Sequence, residues 1–293
     1  MFTSVYSPVE KIKHQRLNDL WVKRDDLMDP YISGNKWRKL KYTLALAAVQ
    51  QKTHLVTFGG AYSNHLVATA AAAARTGLKS SAFVRGEVVE NEMLLLCQLY
   101  GMQLHFTDRQ SYTDKAALFE KYYGNDSSAF FIDEGGAGSE AVKGCAEIIG
   151  ELPDNLDHLF CAAGTGTTAA GLLSGIKAAG LKTILHVVPV LKGGDFIRKE
   201  ILDYVDLPDQ LVLHTGYHFG GYGKTQPALL QFMKAFIAAT GMLVDPIYTA
   251  KLFYAIDDLA VIGELHADAR IMALHTGGLL GIWGKKEQLR SIY

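Results

Sequence analysis

Apolar and polar positions change their period along this chain. Residues 54–60 (HLVTFGG) are a short apolar run ending in two glycines, which reads as a buried strand, and residues 63–75 follow as an alanine-rich helix closed by Gly77. The unit then recurs as strand 80–85, helix 91–100 stopped by Gly101, strand 103–107, helix 112–123 stopped by Gly124, and strand 129–133. Strands alternating with helices predict an α/β fold with parallel sheets. A second series comprises helix 139–152, strand 158–162, helix 167–179 with Gly180 beyond it, strand 183–191, helices 225–240 and 249–259, and strand 270–275. Its sheet is expected to be separate from the first or offset from it. Residues 212–224 mix glycines with Tyr217, His218, Phe219 and Tyr222, a composition that suits a loop lining a site. No internal repeat or low-complexity tract interrupts these series.

Composition narrows the class of partner. With 293 residues, 49% hydrophobic and 20% charged, the chain can bury a sizeable core, and its length suggests one large or two ordinary domains. The 29 Lys+Arg balance 30 Asp+Glu to a net charge of −1, so no global field is available to hold nucleic acid or an anionic membrane. A small neutral or zwitterionic partner fits better. Cys97, Cys145 and Cys161 are odd in number and widely spaced, with no metal-type pair, and are expected to be reduced thiols in the cytoplasm. The N-terminal residues lack the apolar segment of an export signal, and the apolar run at 66–74 is far shorter than the roughly 20 residues that span a bilayer.

Three segments carry candidate chemistry. Gly59-Gly60-Ala61-Tyr62 leads into Ser63, Asn64 and His65, which present a hydroxyl, an amide and an imidazole where a helix begins. An N-cap explains one of these side chains but not all three. Gly164, Thr165, Gly166, Thr167 and Thr168 offer backbone N–H groups and three hydroxyls before an apolar helix, which suits either a phosphate or a plain helix start. The same stretch matches the dinucleotide fingerprint G-x-G-x-x-A, but the next strand ends in Val188-Pro189-Val190 without the acid a nicotinamide ribose needs. Lys36 lies in a basic cluster with Arg38, Lys39 and Lys41; the last three are expected on a solvated helix face. Lys36 directly follows Ser33-Gly34-Asn35 at a helix start, where burial would lower its pKa and make it an amine nucleophile toward an aldehyde.

Taken in order, Lys23-Arg24-Asp25-Asp26-Leu27, Ser33-Gly34-Asn35-Lys36-x-Arg38-Lys39, Ser63-Asn64-His65, Gly164-Thr-Gly-Thr-Thr, Asp245-Pro246-x-Tyr248-Thr249-x-Lys251 and His275-Thr276-Gly277-Gly278 resemble one family. It is that of 1-aminocyclopropane-1-carboxylate (ACC) deaminase and D-cysteine desulfhydrase, and the resemblance covers nearly the whole chain. It implies pyridoxal phosphate as cofactor and a two-domain, three-layer α/β/α architecture of the tryptophan-synthase-β-like type, fold type II. The larger domain would comprise residues 1–39 and 153–293, the smaller residues 40–152. By the same resemblance Lys36 is the lysine that joins the cofactor, Gly164 to Thr168 form its phosphate cup, and Asn64, Tyr248 and Thr276 contact it. Ser63, Asn64, His65 and Thr249 would meet the substrate, with Lys36, Ser63, Tyr248 and Tyr222 as the catalytic groups.

Two positions divide the family. Ring-opening deaminases carry Glu after the tyrosine of the D-P-x-Y motif and Leu before the late Gly-Gly, whereas this chain has Thr249 and Thr276. Both favour a D-cysteine desulfhydrase, releasing pyruvate, sulfide and ammonia, over an ACC deaminase giving 2-oxobutanoate. The chain departs from the family pattern at Ala61-Tyr62, at Leu66-Val67 and at Asp133-Glu134-Gly135-Gly136-Ala137-Gly138. A homodimer is expected by analogy. The alternatives are a nicotinamide oxidoreductase using Gly164 to Ala169 and a pyridoxal-phosphate binder without turnover.

Overall fold

A computed structural model describes residues 6–290. The elements run β1 (Val9–Ile12), β2 (Asp19–Lys23), α1 (Asn35–Val49), β3 (His54–Gly60), α2 (Asn64–Arg75), β4 (Lys79–Arg85), α3 (Glu92–Leu99), β5 (Gln103–Thr107), α4 (Lys115–Tyr123) and β6 (Ala129–Ile132). They continue as α5 (Ser139–Ala146), β7 (His158–Ala163), α6 (Thr167–Ala179), β8 (Ile184–Pro189), α7 (Phe196–Leu202), β9 (Leu211–Leu213), α8 (Pro227–Thr240), α9 (Thr249–Val261), β10 (Arg270–Leu274) and α10 (Lys286–Arg290). Two separate sheets result. One has the order β5-β4-β3-β6 and is wholly parallel; the other has the order β1-β2-β10-β7-β8-β9, with only β1 antiparallel to its neighbour.

Helices cover both faces of each sheet, which is why β3 and β7 are almost continuously apolar instead of alternating. Leu55 packs with Leu40 and Leu44 of α1 and Ala68 and Ala72 of α2 on one side of the four-stranded sheet, while Phe58, Phe83 and Tyr112 fill the other. The six-stranded sheet sits between a layer holding Phe160, Phe253, Ile256 and Ile271 and a layer holding Leu159, Leu172, Ile176 and Met272. Each such side chain contributes about 1.5–3 kcal/mol by leaving water. Both sheets are therefore α/β/α sandwiches.

α5 is the joint between the two sets of elements. It lies so close to α1 that a Cβ on Gly144 would fall 2.0 Å from the Arg38 carbonyl oxygen. It ends at Ala146 and continues as a 3-10 turn over Glu147–Glu151, in place of the single helix the pattern suggests for 139–152. Among the described residues no helix is long and apolar enough to cross a membrane, and all three cysteines are free and buried.

Candidate active site

The carboxyl ends of strands from both sheets open on one cleft of about 480 Å³. This is where open parallel sheets place their ligands, because the loops and helix N-termini converge there. Gly60 at the end of β3, Arg85 at the end of β4, Ala163 at the end of β7 and Thr276 just beyond β10 all line it. So do Lys36, Ser63, Asn64, His65, Gly164, Thr165, Gly166, Thr167, Thr168, Tyr222 and Tyr248. Of the residues singled out in the sequence, Thr249 is the exception.

The first turn of α1 is set by its contact with the segment after β10. Gly34 has φ +56°, and a Cβ there would lie 1.8 Å from the Thr276 carbonyl oxygen. That carbonyl accepts from the Asn35 N–H at 3.3 Å, and the Asn35 amide donates to Thr168 Oγ1 at 3.0 Å, which ties α1 to the start of α6. Lys36 is thereby held with its ammonium donating to the Gly135 carbonyl at 3.0 Å. Burial, and then the charge of Lys39, push the Lys36 amine well below its ordinary 10.5. Gly34→Ala is expected to cost more than about 3 kcal/mol, since it adds a left-handed non-glycine residue to a backbone collision. A urea titration would check this.

Arg38 and Lys39 correct the expectation of a solvated face. Both are buried: Lys39 donates to the same Gly135 carbonyl at 3.0 Å, and Arg38 holds Asp25 and Glu151. Only Lys41 keeps a partly solvated place, paired with Glu147. Lys39 stands three residues after Lys36 on one helix, and residues so spaced share a face, so the burial of one was a signal for the other. The cleft also takes in Arg85, Lys115, Asp133 and Glu134, which sequence motifs did not single out as site residues.

Ser63 opens α2, yet its hydroxyl makes no capping bond. Asn64 Oδ1 is buried without a partner. His65 is buried in the cleft wall, and the Thr57 hydroxyl donates to the Ile132 carbonyl at 2.9 Å, so Thr57 Oγ1 accepts from His65 Nε2–H at 2.7 Å. That leaves Nδ1 as a bare acceptor, and it has no partner. Burial and the two lysines push this imidazole well below 6.5, so it is neutral.

Tyr222 and Tyr248 meet edge to face with ring centroids 6.1 Å apart. Burial raises both phenols, Tyr248 well above 10, so each keeps its proton. The Tyr248 ring lies against Gly164, and its backbone is fixed by Asp245, whose carboxylate accepts from the N–H groups of Ile247, Tyr248 and Thr249 at 2.9–3.0 Å. The Thr249 hydroxyl also donates to Asp245, at 2.8 Å, and is fully buried. Thr249 therefore braces the turn that carries Tyr248 and presents nothing to the cleft, contrary to the expectation that it meets a substrate.

These features suit pyridoxal phosphate. A buried lysine amine with a lowered pKa is available for the aldehyde, the N-terminus of α6 with Thr165, Thr167 and Thr168 offers donors for the phosphate, and the buried Asn64 Oδ1 lacks a partner. A family model described as pyridoxal-phosphate dependent enzyme matches residues 5–277. The chain belongs to that family.

Its relatives agree in detail. The bifunctional D-cysteine desulfhydrase/1-aminocyclopropane-1-carboxylate deaminase, mitochondrial, of Arabidopsis thaliana is 30% identical over 94% of this chain and 76% of its own length. The D-cysteine desulfhydrase of Salmonella typhi is 27% identical over 89% of this chain and 87% of its own. A solved structure of an ACC deaminase homologue superimposes with a TM-score of 0.85 at 28% identity, covering 100% of this chain and 95% of that one. The fold is thus type II and the protein a pyridoxal-phosphate dependent enzyme, which sets the nicotinamide alternative aside.

Proposed function

We propose that this enzyme converts D-cysteine and water to pyruvate, sulfide and ammonia. The observation that carries the reading is the convergence of Lys36, the threonine-rich start of α6, the free Ser63 hydroxyl and Thr276 on one cleft. Pyridoxal phosphate, when bound, supplies an electron sink for the charge left at the α-carbon. Lys36 would join it, Thr165, Thr167 and Thr168 would hold its phosphate, and Thr276 would stand at its ring nitrogen. An uncharged hydroxyl there favours a weaker sink, which suits β-elimination. Ser63 and the first N–H groups of α2 would bind the substrate carboxylate.

Lys36, its pKa lowered by burial, would be the base for the α-proton. Tyr222 and Tyr248, which line the cleft and keep their protons, would give a proton to the departing sulfur. ACC deamination is the second reading, favoured by relatives such as the putative ACC deaminase of Pyrococcus abyssi, 31% identical over 92% of this chain. Of the two positions that divide these activities, Thr276 lines the cleft and Thr249 does not, so Thr276 carries the preference for D-cysteine.

The test is keto-acid release from D-cysteine, L-cysteine and ACC by protein loaded with pyridoxal phosphate. Pyruvate and sulfide from D-cysteine are expected to lead; 2-oxobutanoate from ACC as the main product would install the second reading, and no keto acid from any of them would overturn both. Ser63→Ala is expected to raise KM by about 10–100-fold with an unchanged cofactor spectrum, the worth of one hydrogen bond to a charged group. An unaltered KM would remove Ser63 from the carboxylate site. The reading extends to a cytoplasmic protein, in keeping with the three unpaired thiols, and, by analogy with similar enzymes, to a homodimer that sedimentation would check.

A further inference from the structure

Lys251 is fully buried on α9, three residues beyond Tyr248. Its ammonium forms no ion pair among the described residues; it donates instead to three backbone carbonyls, His218 at 2.8 Å, Gly221 at 3.0 Å and Val190 at 3.3 Å. Val190 follows β8, and the other two belong to the loop that delivers Tyr222. Taking a cation out of water with only neutral hydrogen-bond partners is costly, and burial pulls this amine down to about 8 against the opposing field of the Asp245 carboxylate. A neutral donor would satisfy one carbonyl at less expense. Three carbonyls converging on a point repel one another, however, and only a cation at that point holds all three together.

The rest of the loop is tethered upstream. Tyr217 donates to Asp258 at 2.7 Å and Phe219 packs edge to face on Tyr254, but both anchors precede the glycine pair 220–221. Within that pair, one residue before Tyr222, Lys251 reaches the Gly221 carbonyl, which also accepts from the Lys224 N–H at 3.1 Å, as the His218 carbonyl does from the Gly221 N–H at 3.0 Å. Tyr248 stands at the start of the same helix, its own turn fixed by Asp245, so Lys251 links the loop of Tyr222 to the element that follows Tyr248.

We propose that Lys251 is a built-in cation that positions Tyr222 over the cleft, and that the carbonyls of Val190, His218 and Gly221 form a monovalent-cation site when the side chain is cut back. The proposal rests on the reading that Tyr222 serves the reaction, but its primary readout does not need turnover. Lys251→Ala vacates the volume of four heavy atoms, room for an ammonium or potassium ion between the same carbonyls, and Lys251→Met fills most of that volume without charge.

The experiment follows hydrogen exchange of residues 217–224 in the cofactor-loaded enzyme, in choline chloride and in ammonium or potassium chloride. Wild type is expected to be protected in every salt. Lys251→Ala should lose protection in choline and regain it in ammonium or potassium, with kcat for keto-acid release following the same pattern. Lys251→Met should stay open in all of them. Full protection of Lys251→Ala in choline, protection of Lys251→Met equal to wild type, or no recovery with either cation would each overturn the proposal. Should Lys251→Ala fold only in ammonium or potassium, that dependence supports it. Failure of both variants to fold in any salt would make the lysine a general core residue and overturn it. If exchange behaves as expected while no amino acid is turned over, the cation site stands and the functional reading falls.

Discussion

Lys36→Ala should reduce keto-acid release by a factor on the order of 10³–10⁴, the upper range for a positioned proton-transfer group. The variant should also lose the cofactor adduct that borohydride fixes on the wild-type protein, which peptide mapping would locate at Lys36. The wild-type expectation follows from the site. The Lys36 amine is buried beside Lys39, both donating to one carbonyl, so its pKa falls well below 10.5 and it presents a larger share of its nucleophilic form than an exposed lysine does. Capture of pyridoxal phosphate by the cofactor-free protein should accordingly extend to lower pH than capture by a surface lysine. An adduct mapped to Lys39, or turnover undiminished in Lys36→Ala, would remove Lys36 from the mechanism.

The sequence made much of this site visible because several of its parts are local. A helix start, a glycine-rich turn after a strand and a cluster of hydroxyls each occupy consecutive residues, and their order follows a known family. What stayed hidden depended on distant partners. Arg38 reads as a surface cation until Asp25 and Glu151 are brought to it; Thr249 differs, because its partner Asp245 stands only four residues before it, so that a local signal was present. A different reason accounts for the elements that were not anticipated. β1 is a four-residue edge strand, β2 has five residues with charged ones at both ends, β9 has three residues and α7 has seven, so none shows a sustained period. The central strands and long helices, buried on both faces or closed by glycine, announce themselves.

Arg38→Met should destabilise the fold by about 3–5 kcal/mol, the usual result of removing one member of a buried ion pair and stranding the other. The stranded group is Asp25, fully buried, whose two oxygens accept from Arg38 at 2.9 and 3.1 Å and one of which also accepts from the Ser7 hydroxyl at 2.6 Å. Methionine keeps most of the side-chain volume, so urea denaturation at pH 7 would report mainly the lost charge. Adding Asp25→Asn should restore part of the loss, because the double variant no longer buries a bare carboxylate; a sum of independent losses would argue that the two residues do not act as a pair. A pH series separates the second partner. Burial works to raise the Glu151 carboxyl, but hydrogen bonds from Arg38 and Lys23 outweigh it and hold the group below 4.5. A carboxyl depressed in the folded state stabilises the protein above its unfolded value and loses that contribution as pH falls through its folded value. Wild type should therefore weaken below about pH 4.5, and Arg38→Met, lacking the larger of the two hydrogen bonds, should show a shallower decline. Because Arg38 joins α1 to the 3-10 turn after α5 and to the turn after β2, the same variant should lower the melting temperature of the cofactor-free protein as well as the loaded one. A loss confined to the loaded form would place Arg38 with the cofactor instead of the scaffold.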